Sequence, residues 1–273
     1  MAYMQKEGRQ LKKLVFEDIN GKAHSAEHFF SVIKHHPNLI CLQVKRCNLS
    51  LDEAKAIGKV LADFKFIREL DISNTALDAN TGKEIADGLM RAKQLEIFKC
   101  EGNLSLAKTL DTIIYNLAFS PKIKQINLSQ CGTASKDTGE ALYKLLKISG
   151  AIESLIMSRT GVSSFLTLDF MKALGENKTL TYLNLDENGA VASDPQLQIG
   201  RAIAMNAYKN GSLLGVSLRN WVASYGNAEI LFNHMLISDQ DHEYWYGDRK
   251  AGDAMQKEQL EKKMHFGLQF LDL

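Results

Sequence analysis

One apolar motif recurs along this chain at an almost constant interval, and it limits the possible folds more than any other feature. The motif has apolar residues at its first, fourth and sixth positions, as in Leu39, Leu42 and Val44. Its first eight copies begin at residues 11, 39, 67, 95, 123, 152, 180 and 213, so that successive spacings are 28, 28, 28, 28, 29, 28 and 33 residues. Self-similarity at such a period indicates a solenoid that is built by stacking one small unit.

Each unit is predicted to contain a short strand and then a helix. Two segments, Ser50–Glu53 and Thr81–Glu84, have the Ser/Thr-x-x-Glu form of a helix-capping box, and apolar stripes at helical spacing follow both of them. Strands that are joined by helical crossovers run parallel, with the helices on one side. Since helices pack about 10 Å apart and strands about 4.8 Å apart, the stack must curve. We therefore predict an α/β solenoid with parallel strands on its concave face and helices on its convex face.

Small polar residues and cysteines alternate at the third position beyond each motif. The residues at this position are Ile19, Cys47, Thr75, Asn103, Cys131, Thr160, Asn188 and Trp221. Together with the period and the helical second half, this alternation resembles the ribonuclease-inhibitor class of leucine-rich repeats. The resemblance implies that Cys47 and Cys131 satisfy backbone groups where the strand turns away, and that Cys100 fills a strand position in the core. Reduced thiols and a cytoplasmic location are therefore expected.

Two segments carry a narrower resemblance. Residues Asn177–Leu185 and Asn210–Leu218 resemble repeats of the CARMIL-type actin capping-protein regulators and of tropomodulins. The same sequence pattern also occurs in other repeat proteins of this class, including sensors and ciliary proteins. The resemblance implies either a regulator of the actin cytoskeleton or a repeat protein of another pathway. The capping-protein-binding segment of that family would lie outside the repeats.

The pattern continues towards the carboxyl end in a weaker form. Further units are predicted to begin near residues 241 and 268, with Tyr244 and Tyr246 as inward residues of the first. We therefore predict one leucine-rich-repeat domain over residues 1–273, with about nine to ten repeats, and expect it to be part of a longer chain. The interval between Leu185 and Leu213 is five residues longer than the usual repeat. The extra residues form either a longer turn or an insertion on a binding face.

Several functional classes are disfavoured by the residues themselves. The 33 Lys and Arg residues balance the 32 Asp and Glu residues, which does not suit a nucleic-acid surface, and no apolar run is long enough to span a membrane. Motifs for phosphate binding, nucleophilic catalysis and zinc binding are absent. We interpret the His24/His28 pair and the acidic segment 239–243 as solvated side chains. The sequence therefore predicts no enzyme, no cofactor and no metal site.

The outward residues of the predicted strands form the candidate binding site. They are polar and carry charges of both signs, which suits a protein partner that is recognised by complementary pairs. Trp245 is the expected exposed aromatic contact. The predicted partner-binding residues are Lys45, Arg46, Asp71, Asn74, Lys99, Asn127, Gln130, Arg159, Asn184, Asp186, Glu187, Arg219 and Trp245. The leading hypothesis is a binding scaffold, and the alternative is a structural subunit that packs into a large ciliary or organellar assembly through its edges and convex helices.

Overall fold

The computed structural model describes residues 11–18, 39–63, 66–189, 211–220 and 270–272, together with Ile33, Ile199, Ala202, Ile203 and Asn206. Nine strands in these ranges form one parallel sheet whose order follows the chain. The strands are β1 (Lys13–Glu17), β2 (Cys41–Lys45), β3 (Glu69–Asp71), β4 (Ile97–Lys99), β5 (Gln125–Asn127), β6 (Ser154–Ile156), β7 (Tyr182–Asn184), β8 (Gly215–Ser217) and β9 (Phe270–Asp272).

Helices connect the strands on one side of the sheet. The helices of the described ranges are α1 (Leu51–Asp63), α2 (Ala79–Leu89), α3 (Leu110–Ala118), α4 (Lys136–Ile148) and α5 (Leu168–Glu176), with 3₁₀ turns at Leu104–Lys108 and Val162–Phe165. Each helix packs on the next, and a continuous apolar core lies between the helices and the sheet. The predicted α/β leucine-rich-repeat solenoid, with its strands on one face and its helices on the other, is confirmed.

The strand register agrees with the repeat. Leu42 lies opposite Leu70, and Leu70 lies opposite Phe98, so that equivalent apolar residues stack into one interior column. At the carboxyl end β8 pairs directly with β9, with Gly215 opposite Phe270. The unit that was predicted to begin near residue 241 and the surplus residues 190–198 lie outside the described residues. Trp221, the two histidines and the acidic segment 239–243 also lie outside them.

One predicted helix cap is confirmed and the other is wrong. Ser50 and Glu53 exchange hydrogen bonds at the start of α1, with Ser50 N 2.5 Å from Glu53 Oε2. The cap of α2 is Asp78, whose Oδ1 accepts the Asn80 and Thr81 amides at 2.9 Å, while Thr81 Oγ1 accepts the Asp78 amide at 2.7 Å. Thr81 therefore lies inside the helix as its third residue. The Ser/Thr-x-x-Glu pattern failed here because an Asp-x-x-Thr pair satisfies the same amides in the same way.

Replacing Asp78 by alanine is expected to lower the free energy of unfolding by about 1 kcal/mol, the usual effect of losing an N-cap acceptor. Hydrogen bonds from the Thr81 backbone hold the pKa of the Asp78 carboxyl below its ordinary value of 3.8. Asp78 therefore contributes this stability at neutral pH, and the contribution is lost as the pH falls through the lowered pKa. Urea titrations of the wild type and Asp78→Ala over a series of pH values from 7 downwards check both statements, because the difference between the two proteins should shrink as the Asp78 carboxyl is protonated. Asp78→Asn, which keeps an acceptor, should remain close to the wild type at pH 7.

Asn103 holds together the turns of two neighbouring repeats. It is fully buried, and its Oδ1 accepts hydrogen bonds from the Thr75 amide at 3.1 Å and the Leu77 amide at 3.0 Å. Its Nδ2 donates to the carbonyl oxygens of Ile72 at 3.0 Å and Cys100 at 2.8 Å. The side chain thus satisfies four backbone groups where the chain leaves β3 and β4, as the resemblance implied.

The same position has a similar role elsewhere in the array. Asn188 repeats the arrangement of Asn103, accepting from the Thr160 amide at 2.8 Å. Cys131 donates its thiol hydrogen to the Cys100 carbonyl oxygen, with the sulfur 2.9 Å from the oxygen. All four cysteines are free and buried. Burial, together with the neighbouring Cys131, raises the pKa of the Cys100 thiol, and burial raises the pKa of Cys41 to about 11. The raised pKa makes Cys41 and Cys100 poor nucleophiles at neutral pH.

Candidate protein-binding face

The surface that we call the strand face consists of the outward residues of β1 to β8 and the turn residue after each strand. Residues i and i+2 of a strand point to the same side, so the strand face has four columns that run across the repeats. The predicted site residues occupy the second, third and fourth columns, and none of them lies in the first. That column contains the half-buried Ile97, Gln125, Ser154 and Tyr182, which lie opposite one another in the register. The two-residue period of a strand would have identified it.

The fourth column is a column of left-handed turns. Arg46, Asn74, Gln130, Arg159 and Glu187, all predicted site residues, have φ angles between 51° and 56°. Residues with a Cβ adopt this region only infrequently, and β-branched residues are strained in it. The position turns the chain out of the strand in successive repeats. The residue types at this position are therefore restricted by backbone conformation before any requirement for partner binding.

Three of these turn residues are paired with each other or with a neighbour along the column. Arg46 Nε and Nη2 donate to the two carboxylate oxygens of Asp18 at 2.8 and 3.0 Å. Arg159 Nη2 donates to Glu187 Oε1 at 2.8 Å in the same bidentate manner. These hydrogen bonds hold the pKa values of the Asp18 and Glu187 carboxyls below their ordinary values. These charges already have a partner within the column and are exposed to solvent. A new ion pair with a bound protein would therefore add little binding free energy.

Asp71, Asn127 and Asn184 occupy equivalent positions in three strands and share one structural task. Each accepts a hydrogen bond from the amide two residues later, at 3.1, 3.0 and 2.9 Å respectively. Asp71 also accepts the Ser73 hydroxyl at 2.7 Å and is only 7% exposed. It belongs to the floor of the strand face, whereas Asn127 and Asn184 are half-buried and partly accessible.

The remaining charged candidates lie on the strand face beside a polar neighbour. Lys45 Nζ is 3.4 Å from Glu17, and Lys99 Nζ is 3.9 Å from Glu69. Asp186 Oδ1 accepts the Ser217 hydroxyl at 2.7 Å and the Arg219 amide at 2.8 Å. Trp245 lies outside the described residues, so its predicted exposure stays a prediction.

The outward residues of three neighbouring strands carry no formal charge, and we call this area the central patch. Its residues lie opposite one another in β5, β6 and β7, in the two register rows Gln125, Ser154, Tyr182 and Asn127, Ile156, Asn184. Ile156 and Tyr182 are its two apolar side chains, and both are half-buried. Ser158 Oγ donates to Asn184 Oδ1 at 2.7 Å, and the Ser158 amide donates to Ser129 Oγ at 3.2 Å. These bonds fix the polar side chains beside Ile156.

The described part of the chain contains no group of three or more His, Cys, Asp or Glu side chains that could hold a metal ion. Within the same ranges, no helix has the length and apolar character to cross a bilayer.

Comparisons with known proteins concern the fold. No protein-family model matches the chain, and no curated protein matches it. A chain of the yeast Rad7–Elc1 complex is similar over 83% of this chain and 55% of its own length, with 16% identity and a TM-score of 0.51. The tropomodulin C-terminal domain of Caenorhabditis elegans has 11% identity and a TM-score of 0.37, over 81% of this chain and 95% of that one. The leucine-rich-repeat-containing protein LegL7 of Legionella pneumophila has 12% identity and a TM-score of 0.43, over 94% and 89%.

Proposed function

We propose that this leucine-rich-repeat protein is a non-enzymatic scaffold that binds a protein partner on its strand face, with the central patch as the core of the contact. The observation that carries the proposal is the position of Ile156 and Tyr182. They are partly accessible apolar side chains among uncharged strand residues, and charged pairs such as Arg159–Glu187 and Lys99–Glu69 lie around them. The charged candidates of the sequence analysis then form the rim of the contact.

The energetics of association support this division. The cores of protein interfaces are depleted in charge and enriched in aromatic side chains, whereas their rims are polar. Desolvating the amides and hydroxyls around Ile156 costs less than desolvating the Arg46–Asp18 or Arg159–Glu187 pairs, because a buried charge loses far more hydration. The parallel strands hold the patch in one arrangement before binding. A preformed surface lowers the ordering cost of association.

The replacement Ile156→Arg is expected to weaken partner binding by at least about tenfold, because it places an unpaired charge in the core of the contact. The measurement is quantitative affinity capture from an extract of the source cells, followed by titration of the captured protein against each variant. Tyr182→Ala tests the second apolar side chain. Lys136→Glu is the matched control, since its side chain is 81% exposed at the start of α4 on the helical side.

The competing hypothesis makes the opposite prediction. A subunit that packs into an assembly through its edges and helices would keep its partner in Ile156→Arg and lose it in variants on the helical side. Equal capture by the wild type and Ile156→Arg, with both proteins folded by circular dichroism, would therefore contradict the strand-face proposal. Charge reversal of Asp71 is unsuitable for this test, because Asp71 is buried and orders the end of β3.

The finer proposal is that the partner belongs to the actin cytoskeleton and that the protein is cytoplasmic. It is supported by the resemblance of Asn177–Leu185 and Asn210–Leu218 to CARMIL and tropomodulin repeats. The test is elongation of fluorescent actin filaments with and without capping protein. A change in elongation that Ile156→Arg abolishes would support the cytoskeletal proposal. The cytoskeletal proposal would be contradicted if filament elongation did not change, with or without capping protein, and if the captured partner belonged to another pathway.

A further inference from the structure

Four large apolar side chains are exposed where consecutive helices end. Met90 follows α2, Tyr115 and Phe119 lie on and just after α3, and Ile148 is the last residue of α4. They are between 40% and 51% exposed. We call these four residues the helix-end patch. They lie on the helical side of the sheet, away from Ile156, and the proposed function does not use them.

The patch is held together by specific contacts. The Tyr115 and Phe119 rings meet edge to face, with their centroids 5.0 Å apart and their planes at 62°. Lys144 Nζ of α4 lies 4.8 Å from the centroid of the Tyr115 ring, which joins the neighbouring helices. Because α2 packs on α3 and α3 packs on α4, the helix ends that carry the four side chains lie in one row across three repeats.

Positive charge surrounds this row. The basic residues of the surrounding helix ends and turns are Arg91, Lys93, Lys122, Lys144 and Lys147. Among the acidic residues of the same region are Asp87 and Glu176, and Glu176 is 3.3 Å from Lys147. Lysine near a helix C-terminus complements the helix dipole without any partner, as Lys93 does at 3.0 Å from the Met90 carbonyl oxygen. The helix dipole gives no reason for four exposed apolar side chains in the same place.

We propose that the helix-end patch binds an acidic amphipathic helix of a partner protein. The repeat geometry favours a helix, because neighbouring helices of the array are about 10 Å apart and seven residues of an α-helix rise about 10.5 Å. Apolar residues at every seventh position of the partner would therefore meet the ends of α2, α3 and α4 in turn. Acidic residues beside them would pair with the surrounding lysines.

An anionic membrane is the other surface that an apolar patch with basic residues could contact. The patch residues project from the ends of packed helices, and the whole chain has a net charge of only +1. Interfacial binding requires a continuous apolar face that enters the headgroup region, usually together with a strongly cationic surface. Four side chains at the ends of three helices form a short row and not a broad apolar face, which suits a helix contact better than lipid insertion.

The test uses the full chain and a labelled 21-residue peptide that is rich in Glu and Ala, with Leu at positions 4, 11 and 18. Fluorescence anisotropy should show saturable binding that weakens as salt is raised. Phe119→Asp should weaken it at least about tenfold, because it removes an apolar contact and repels the acidic peptide. Lys144→Glu should weaken it by a smaller factor. Lys136→Glu, at the other end of α4, and Ile156→Arg should leave it unchanged.

Two further arms make the result decisive. A peptide of the same composition with its leucines off the seven-residue spacing should bind at least about tenfold more weakly. Any binding to vesicles rich in phosphatidylserine should be the same for the wild type and Phe119→Asp. The proposal is overturned if the spaced peptide does not bind, or if Phe119→Asp binds it as well as the wild type. Vesicle binding that depends on Phe119 would assign the patch to membranes instead. These outcomes are independent of the strand-face proposal, because the Ile156→Arg assay concerns the opposite side.

Discussion

Replacing Asn103 by leucine is expected to lower the free energy of unfolding by about 3–5 kcal/mol, because buried backbone groups that lose their partners cost about 1–3 kcal/mol each. Leucine has the branching of asparagine but bulkier methyl groups, so overpacking at this buried site adds to the loss. The amides of Thr75 and Leu77 would be left without the acceptor that Asn103 provides, whereas the Ile72 carbonyl oxygen keeps the Thr75 hydroxyl as a donor. The position lies in the middle of the array, where each repeat is stabilised mainly by its neighbours. Urea denaturation followed by circular dichroism measures the loss.

Asn48→Leu is the matched control, since Asn48 is exposed and begins a similar segment two repeat units earlier. Its stability should stay within about 0.5 kcal/mol of the wild type, as is usual for surface substitutions. Asn188→Leu should reproduce a large loss, because Asn188 makes the equivalent bonds to Thr160 and Met157. If Asn103→Leu were as stable as Asn48→Leu, the buried asparagine would not hold the turns together.

The second large effect is expected for Gly88→Ala, which should lower the free energy of unfolding by about 2–4 kcal/mol through overpacking. A Cβ at residue 88 would lie 2.7 Å from both the Cα and the carbonyl oxygen of Gly58, so that α1 and α2 would have to separate. Backbone atoms cannot rotate away as a side chain can. The loss should occur even though alanine in a helix is favoured over glycine by about 1 kcal/mol.

Gly150→Ala provides the comparison, because a Cβ at residue 150 would meet no atom within 4 Å. Thermal and urea unfolding of the two variants should differ clearly, with Gly150→Ala close to the wild type. Stability of Gly88→Ala equal to that of Gly150→Ala would mean that the two helices can separate at little cost, against the backbone contact at Gly58.

The fold could be predicted from the sequence because the decisive signal is periodic. Apolar residues such as Leu42 and Phe98 recur at one spacing, and a repeat with a strand and a returning helix can bury them in only a few ways. The Gly58–Gly88 contact could not be predicted in the same way. It depends on how closely two helices approach, which no local pattern specifies.

The candidate site was predicted less completely, for two physical reasons. A polar residue on a strand can either contact solvent or hold its own turn, and the sequence does not distinguish Asp71, which is buried, from Asn127, which is partly accessible. The Arg159–Glu187 pair, by contrast, could have been anticipated, since the two residues occupy the same column in adjacent repeats. The missed residue Tyr182 could also have been found by extending the two-residue period backwards.

Part of the narrower family resemblance is explained by the fold itself. Asn177 Oδ1 accepts the Leu180 amide at 2.7 Å, and its Nδ2 donates to the Leu146 carbonyl oxygen at 2.9 Å. In the next unit Asn206 accepts the Leu213 amide at 2.9 Å and donates to Leu174. An asparagine before the strand therefore satisfies main-chain groups of its own and the preceding unit, as Ser120 does in part, and it should occur in repeat proteins with unrelated partners.

The left-handed turns after the strands separate two kinds of position on the same surface. Arg159 and its equivalents are restricted by the conformation of the main chain, and a β-branched replacement there would strain every copy of the bend. Gln125, Ile156 and Tyr182 lie on extended backbone that accepts almost any side chain. Substitutions at these three positions, whether natural or from a combinatorial library, can therefore change which partner is bound without changing the fold. Binding specificity and folding stability then depend on different columns of the same surface.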